Sequence, residues 1–276
     1  MANFRDIIVF DFETGGANPY TCQPTQIAAV AIHARKLEIQ PGGMFNSEIR
    51  PIIDDDKAIA AGVGPLEEKA LEITRKTRKE LAKAPLPKTV WKKFAGFCDK
   101  YNWKHTSYYA PIAAGYNING FDMPIVERMC QQYGPVDEKK GRQKIFNPIF
   151  TIDVMQHIYC WFENNQDVKG YSMDYMRDYF GMDQSSKDNA HDALQDVKDT
   201  ANLMIKFLKL QRSLLKKVKF ERHLQMETST YKTCSKCKQD LARGDFSPAG
   251  GGKYLRPECK ACARKLAKER KLLKLK

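Results

Sequence analysis

The sequence predicts an α/β fold in which helices cover a mixed sheet of about five strands, followed by a small C-terminal module. Residues 7–10 form a short continuous apolar run, which is typical of a strand buried on both faces. Strand-like and helix-like segments then alternate, and this order favours a sheet covered by helices. Beyond residue 230 the composition changes to cysteine, lysine, glycine and arginine, which indicates a separate unit.

The predicted strands are short and are separated by turn signals. They occupy residues 7–10, 27–32, 44–52, 109–115 and 145–152. The proline and two glycines at 41–43 predict the turn between the second and third strands.

The predicted helices take up most of the remaining chain, at residues 65–101, 124–132, 172–180 and 193–218. Pro85 and Pro87 interrupt the first of these segments. In the last, apolar residues step by three and four from Leu194 to Leu208, so that one stripe faces a core. Residues 53–108 are the least informative part of the chain.

Size and composition are those of one sizeable domain with a small appendage, at 276 residues and 42% apolar residues. No run of eighteen apolar residues is present, so no membrane span is predicted. Residues 1–6 lack the basic and apolar stretches of a signal peptide. We therefore expect a cytoplasmic protein that is not secreted and whose cysteines are reduced.

The net charge of +13 is concentrated at the C-terminal end of the chain. Residues 231–276 hold 14 Lys/Arg against 4 Asp/Glu, whereas the first 230 residues hold 32 against 29. This pattern favours contact with a polyanion, with a solubilising tail as the alternative. Polar residues without apolar period at 223–230 predict a linker between a domain at 1–222 and a module at 231–276.

Three acidic patches in a fixed order are the strongest functional signal. Asp11 and Glu13 follow the first strand and project to one face, because residues two apart on a strand share a side. Asp122 falls at a predicted strand-to-helix corner, and His191 and Asp196 lie at the start of the last helix. Four converging acids can hold two divalent cations, which phosphodiester hydrolysis commonly uses. The pattern therefore predicts a hydrolytic nuclease.

With these residues in view, the chain resembles the DnaQ-like, or DEDDh, superfamily of 3′–5′ exonucleases, whose fold is similar to ribonuclease H. Asp11 and Glu13 match the first motif, Asp122 the second, and His191 with Asp196 the third. The strings GYNINGFD and HDALQDVKDTANL are also similar to the family, and the resemblance runs from about residue 3 to 210. FDFETGGANPYTCQPTQIAAVAI is similar to the bacterial exonuclease I branch, which degrades single-stranded DNA.

The resemblance implies two Mg²⁺ or Mn²⁺ ions in the active site, since oxygen ligands suit these cations. Asp11 would bridge both ions, Glu13 and Asp196 would complete one site, and Asp122 would support the second through water. His191 would remove the proton from the attacking water.

Four further residues are candidates for supporting roles. Thr14 and Gly15 follow the first motif, where the family's backbone approaches the terminal nucleotide, so we expect substrate contact there. Asn117 is a third candidate for substrate contact and also for steadying the second motif. Asp153 ends a predicted strand, either as a partner of the site or as a helix cap.

The C-terminal module contains two C-x₂-C pairs, Cys234 with Cys237 and Cys259 with Cys262. Their spacing is close to the four-cysteine zinc pattern, and four ligands close a site, so we predict one structural Zn²⁺. The string is similar to the small treble-clef zinc modules of phage proteins, which suggests a bacterial or phage-infected cell. Basic residues on its predicted helix favour DNA contact. Docking on a replication or repair protein is the alternative.

The sequence therefore predicts a metal-dependent 3′–5′ exonuclease that acts mostly on single-stranded DNA. Trimming of RNA is the alternative within the same superfamily, because nothing in the sequence reads a 2′-hydroxyl. An inert protein that binds nucleic acid or a partner is the alternative from another class. Such a binding module has no need of all five site residues.

Overall fold

A computed structural model describes residues 5–182, 193–217, 231–252 and 254–273. The chain forms two compact units, Met1–Gln211 and Arg212–Lys276. The predicted linker at 223–230 lies outside the described residues. None of the helices in the described part of the chain combines the length and hydropathy that crossing a bilayer takes.

The first unit is built on a five-stranded mixed sheet. The seven strands described in this unit are β1 Ile7–Thr14, β2 Pro24–His33, β3 Glu38–Glu48, β4 Ile112–Gly115, β5 Val136–Asp137, β6 Arg142–Gln143 and β7 Thr151–Asp153. The order in the main sheet is β3-β2-β1-β4-β7, while β5 and β6 pair separately. The strands β1, β2 and β3 run antiparallel to one another in turn, and β4 is parallel to both β1 and β7. The predicted mixed sheet of five strands is confirmed.

Helices surround this sheet. They are α1 Asp55–Ala60, α2 Glu68–Thr74, α3 Arg78–Leu81, α4 Pro87–Asp99, α5 Asp122–Tyr133, α6 Val154–Phe162, α7 Met173–Tyr179 and α8 Ala193–Lys217. The predicted helices near 124–132, 172–180 and 193–218 are confirmed to within a few residues. The helix α6 was not predicted. Of the strand predicted at 145–152, only residues 151–152 lie in a strand, β7.

The two faces of β1 belong to two different cores. Ile8 and Phe10 pack in one cluster with Trp91 and Phe94 of α4 and with α5. Ile7 and Val9, on the opposite face, pack in a second cluster with side chains of α6, α7 and α8. Because successive residues of a strand alternate in direction, β1 needs apolar residues at every position of this run. Its sequence shows that continuous apolar run.

The prediction of a turn at residues 41–43 was wrong. The chain turns at 34–37 instead, where the N–H of Leu37 donates to the carbonyl of His33 at 2.8 Å. Residues 40–43 lie inside β3, opposite the single residue Ala31, and form a bulge in the sheet. The strand β3 is at the edge of the sheet, where a proline leaves no ladder hydrogen bond unmade. A Pro-Gly-Gly segment therefore bends this edge strand without ending it.

Beyond the end of α8, the described part of the second unit contains two small hairpins and one α-helix. Its elements are β8 Tyr231–Thr233, β9 Asp240–Ala242, β10 Phe246–Ala249, β11 Tyr254–Cys259 and α9 Lys260–Leu273. The strand β8 pairs with β9, and β10 pairs with β11. Its core consists of Cys234, Phe246 and Cys259, with three partly buried neighbours. A core this small does not stabilise an independent unit without a further constraint.

Candidate active site

The first acidic pair lies at the end of β1, on the side of the sheet that α8 covers. Asp11 and Glu13 continue the face of Ile7 and Val9, whereas Phe12 between them points to the other core. Asp196, in the first turn of α8, faces the same point. One carboxylate oxygen from each of Asp11, Glu13 and Asp196 lies within 4.8 Å of the others. Acids from two segments that are far apart in sequence thus form one cluster.

Asp122 lies beside this cluster and is tied to β1. It is the first residue of α5, it is buried, and the backbone N–H of Phe12 donates to its Oδ1 at 3.1 Å. The predicted strand-to-helix corner is therefore confirmed, with the carboxylate pointing back at the strand that carries Asp11 and Glu13.

Two of the acids, Asp11 and Asp122, have raised pKa values. The pKa of Asp11 lies well above its usual range because of burial first, and then because of the charges of Asp122, Glu13 and Asp196. Burial likewise raises the pKa of Asp122 to about 8, although the N–H of Phe12 opposes the shift. Crowded carboxylates of this kind are stabilised by a bound cation, which takes the place of the protons. The oxygen donor set fits a hard divalent cation.

Among the residues that the structure describes, the basic side chain of Arg177 reaches the cluster. Arg177 on α7 is buried, and its Nη2 donates to Oδ1 of Asp196 at 2.5 Å. The charge of Arg177 acts against the rise in the pKa of Asp11. Nothing in the sequence marked Arg177, because its role depends on contacts between two helices that are far apart in the chain.

The loop that follows the first motif is folded closely. Thr14 Oγ1 donates to the carbonyl of Gly16 at 2.7 Å, and the N–H of Gly15 donates to the carbonyl of Gln23 at 2.8 Å. A Cβ at Gly15 would meet Cδ2 of Leu66, so a larger residue there would have to displace the Leu66 side chain. Thr14 and Gly15 are both buried, and their substrate contact stays a prediction.

The loop that carries the second motif is held by Asp153. Oδ2 of Asp153 accepts the N–H of Asn119 at 3.2 Å, and its Oδ1 accepts the N–H of Gln156 in the first turn of α6 at 3.3 Å. Asp153 is therefore both a helix cap and a partner of the motif loop. Asn117 is exposed at a positive φ of 54°, and its carbonyl accepts the N–H of Phe121. This contact forms the turn before Asp122.

A largely apolar pocket lies along α5. It has a volume of about 740 Å³, and its lining residues are Tyr20, Met123, Pro124, Glu127, Arg128, Gln131 and Gln132. Tyr20 is 69% exposed. The remaining predicted site residue, His191, lies outside the described residues.

Comparison with known proteins agrees with this geometry. A family model described as an exonuclease, the RNase T model, matches residues 8–204, well over half of the chain. The chain belongs to this exonuclease family. Among curated protein sequences, none matches it significantly.

Solved structures of exonuclease I share the fold of this exonuclease. E. coli exonuclease I in complex with a dT13 oligonucleotide is 18% identical, with a TM-score of 0.57, over 77% of this chain and 43% of its own. The moderately thermophilic exonuclease I from Methylocaldum szegediense is 18% identical, with a TM-score of 0.54, over 73% and 40%. The exonuclease solved as the ExoI/SSB-Ct complex is 17% identical, with a TM-score of 0.57, over 77% of this chain and 42% of its own.

The present chain therefore spans only 40–43% of the length of these exonuclease I proteins. Identity at this level shows a shared fold, which is the ribonuclease H-like exonuclease fold predicted from the motifs.

The second unit of the exonuclease brings its four cysteines together, as predicted. The sulfur atoms of Cys234, Cys237, Cys259 and Cys262 all lie within 4.8 Å of one another. Sγ of Cys234 accepts the N–H of Cys259 at 3.3 Å and that of Lys236 at 3.4 Å.

These sulfur atoms differ in their ease of ionisation. The N–H donation from Cys259 is the largest cause that lowers the pKa of Cys234, to about 6. Hydrogen bonds among the thiols, first with Cys259, raise the pKa of Cys262 to about 12. A thiolate is the form that binds a metal, so Cys234 is prepared as a ligand.

Proposed function

We propose that this exonuclease removes nucleotides from the 3′ end of single-stranded DNA with the help of two divalent cations, Mg²⁺ or Mn²⁺. The observation that carries the proposal is the convergence of Asp11, Glu13 and Asp196 beside the buried Asp122. No structural need explains four acids at one point, because their mutual repulsion costs stability. A site that binds cations and phosphate does explain them.

The proposed chemistry divides the roles among the site residues. Asp11 would be a ligand of both ions, Glu13 and Asp196 would complete one ion site, and Asp122 would support the other. Bound cations would supply a water of lowered pKa and would stabilise the charge on the leaving 3′ oxygen. His191 is proposed as the general base that takes the proton of the attacking water.

Three observations support single-stranded DNA as the substrate. Exonuclease I, which shares the fold, has been crystallised with the dT13 oligonucleotide. The pocket along α5 is largely apolar and is bordered by the exposed ring of Tyr20, on which an unpaired base can stack. The net charge of +13 favours a polyanionic substrate. Thr14, Gly15 and Asn117 are the proposed neighbours of the terminal nucleotide.

We assign one structural Zn²⁺ to the four cysteines of the second unit. Four thiolates complete a tetrahedral shell and leave no open position for catalysis. The basic residues of this unit favour contact with the DNA backbone. Docking on a protein partner is the alternative role for this unit, and one protein that shares the fold of the first unit has been solved as the ExoI/SSB-Ct complex.

The proposal is tested with oligonucleotides that carry a label at the 3′ or the 5′ end, as DNA and as RNA. With Mg²⁺ or Mn²⁺, we expect a 3′-labelled DNA strand to release its label at once and a 5′-labelled strand to shorten stepwise. Asp11→Asn should lower the rate roughly a thousandfold, because several kcal/mol of charge stabilisation are removed. Faster cleavage of RNA would transfer the proposal to that substrate. Binding without cleavage by the wild-type protein would refute it.

A further inference from the structure

Arg177 of α7 is a buried arginine that contacts three carboxylates at once. Only 2% of its side chain is exposed. Its Nε donates to Oδ2 of Asp199 at 2.9 Å, its Nη1 to Oδ1 of Asp174 at 2.8 Å, and its Nη2 to Oδ1 of Asp196 at 2.5 Å. Asp196 and Asp199 are both on α8, so the guanidinium also joins α7 to α8.

The three carboxylates have different surroundings. The side chain of Asp174 is 65% exposed, that of Asp196 is 21% exposed, and that of Asp199 is 6% exposed. Nε2 of Gln195 also donates to Asp199, at 3.0 Å. Arg177 and Asp199 thus form a fixed buried pair, and the rigid planar guanidinium extends from that pair towards Asp196.

We infer that Arg177 is a positioning residue, which holds the carboxylate of Asp196 in the orientation that the Asp11–Glu13–Asp196 cluster requires. The inference rests on the proposed role of Asp196 as a metal ligand. Groups that hydrogen-bond to a ligating carboxylate fix its direction and commonly affect metal affinity as much as the ligand itself. Arg177 is too buried to reach a substrate, so it acts only through Asp196.

The charges around Arg177 explain how its guanidinium can lie beside a site for a metal cation. The positive charge of Arg177 is matched by the negative charge of Asp199, so the pair adds no net charge next to the acids. Its effect on a bound ion is therefore orientation of the ligand and not attraction. Removal of Arg177 alone would leave Asp199 buried without its counterion, which would destabilise the fold and obscure the effect.

The test uses a double variant, Arg177→Leu with Asp199→Leu, in the full-length zinc-loaded protein. It removes one charge of each sign, and the replacement of a buried ion pair by apolar residues is often neutral for stability. We expect a wild-type midpoint of thermal unfolding but a Kd for Mn²⁺ that is roughly 10–100-fold higher, as for other removals of ligand support. Titration with Mn²⁺ followed by electron paramagnetic resonance measures this Kd without turnover.

A matched control and a second variant complete the test. Asp174→Asn removes the exposed ion pair of Arg177 and should leave the Kd for Mn²⁺ near the wild-type value, because exposed ion pairs contribute little. Arg177→Lys keeps the charge but lacks the fork that holds three carboxylates, and it should also raise the Kd. This variant decides the question if the double variant does not fold.

Wild-type affinity for Mn²⁺ in a folded double variant, or in a folded Arg177→Lys protein, would overturn the inference. It would leave Arg177 only the task of joining α7 to α8. Failure of the proposed exonuclease function gives a different result, namely a wild-type protein that cleaves no oligonucleotide whatever its affinity for Mn²⁺.

Discussion

Asp122 lies in a buried position where ionisation is unfavourable, and this predicts a particular dependence of stability on pH. Burial raises its pKa to about 8, whereas an unfolded chain has a value of about 3.9. Between these pH values the folded protein holds a proton that the unfolded protein lacks. The contribution of Asp122 to stability therefore falls as the pH rises from about 4 to about 8.

Asp122→Asn should remove this pH dependence, because an amide does not ionise and its oxygen still accepts the N–H of Phe12. We expect the midpoint of thermal unfolding to fall less between pH 5 and pH 8 in the variant than in the wild type. The measurement requires zinc-loaded protein without Mg²⁺ or Mn²⁺, since a cation bound by the acids would offset the repulsion. Equal pH profiles for the two proteins would contradict the account of Asp122.

The proposed role of His191 as the general base predicts that its loss lowers the rate of cleavage without weakening the binding of metal or DNA. A general base contributes roughly 10²–10⁴-fold to a rate. His191→Ala should therefore lower the turnover number by about this factor while the Kd for Mn²⁺ and the Kd for DNA stay near their wild-type values. Single-turnover cleavage gives the first quantity, and equilibrium titrations give the other two. A variant that cleaves at the wild-type rate would exclude His191 as the base.

The acids of the site could be predicted from the sequence, whereas Arg177 could not. Hard cations take oxygen ligands such as carboxylates, so a cation site limits its ligand positions largely to Asp and Glu. This limit makes Asp11, Glu13, Asp122 and Asp196 recognisable in the sequence. Arg177 depends on two aspartates of another helix, and in sequence it is one more charged residue of an amphipathic segment. The role of Arg177 can be recognised only from the packing of α7 on α8.

At the scale of elements, patterns that report burial were more reliable than patterns that report turns. The continuous apolar run of β1 follows from a core on each face of the sheet. The proline and glycines at 41–43 favour a bend, but a bulge in an edge strand satisfies that preference as well as a turn does. The choice between them depends on the partner strand, which no local pattern contains.

Asp153 allows the effect of a helix cap to be distinguished from support of the site. Asp153→Ala should cost about 1 kcal/mol of stability, as the removal of a cap usually does. It should also lower activity by roughly tenfold, because the loop of the second motif is no longer held through the N–H of Asn119. The measurements are denaturant unfolding and the initial rate of cleavage.

The matched control is Thr77→Ala at the start of α3. Thr77 caps its helix through the N–H of Glu80 at 3.2 Å, and it belongs to no part of the site. This variant should lose a similar amount of stability and keep the wild-type rate. If both variants kept the wild-type rate, Asp153 would be a cap and nothing more.

The whole molecule divides its charge unequally between its parts. Ten of the thirteen net positive charges fall on residues 231–276, which lie within the smaller unit. The helix α9 carries the exposed residues Arg264, Lys265, Lys268 and Arg270, which are one to three residues apart along nearly two turns. Such a row fits a phosphate backbone, whereas protein docking does not require it.

Replacement of these four basic residues of α9 by glutamine decides between DNA and a protein partner for the second unit. If the row contacts DNA, the Kd for a single-stranded oligonucleotide should rise, and the slope of log K against log salt should weaken by roughly 0.7 for each phosphate that the variant no longer neutralises. The control replaces Lys88, Lys92, Lys93 and Lys100, exposed on and just after α4, which changes the net charge equally. Equal salt slopes in the two variants would leave only the general charge of the protein as the cause. An unchanged slope in the α9 variant would instead favour a protein as the partner of the zinc unit.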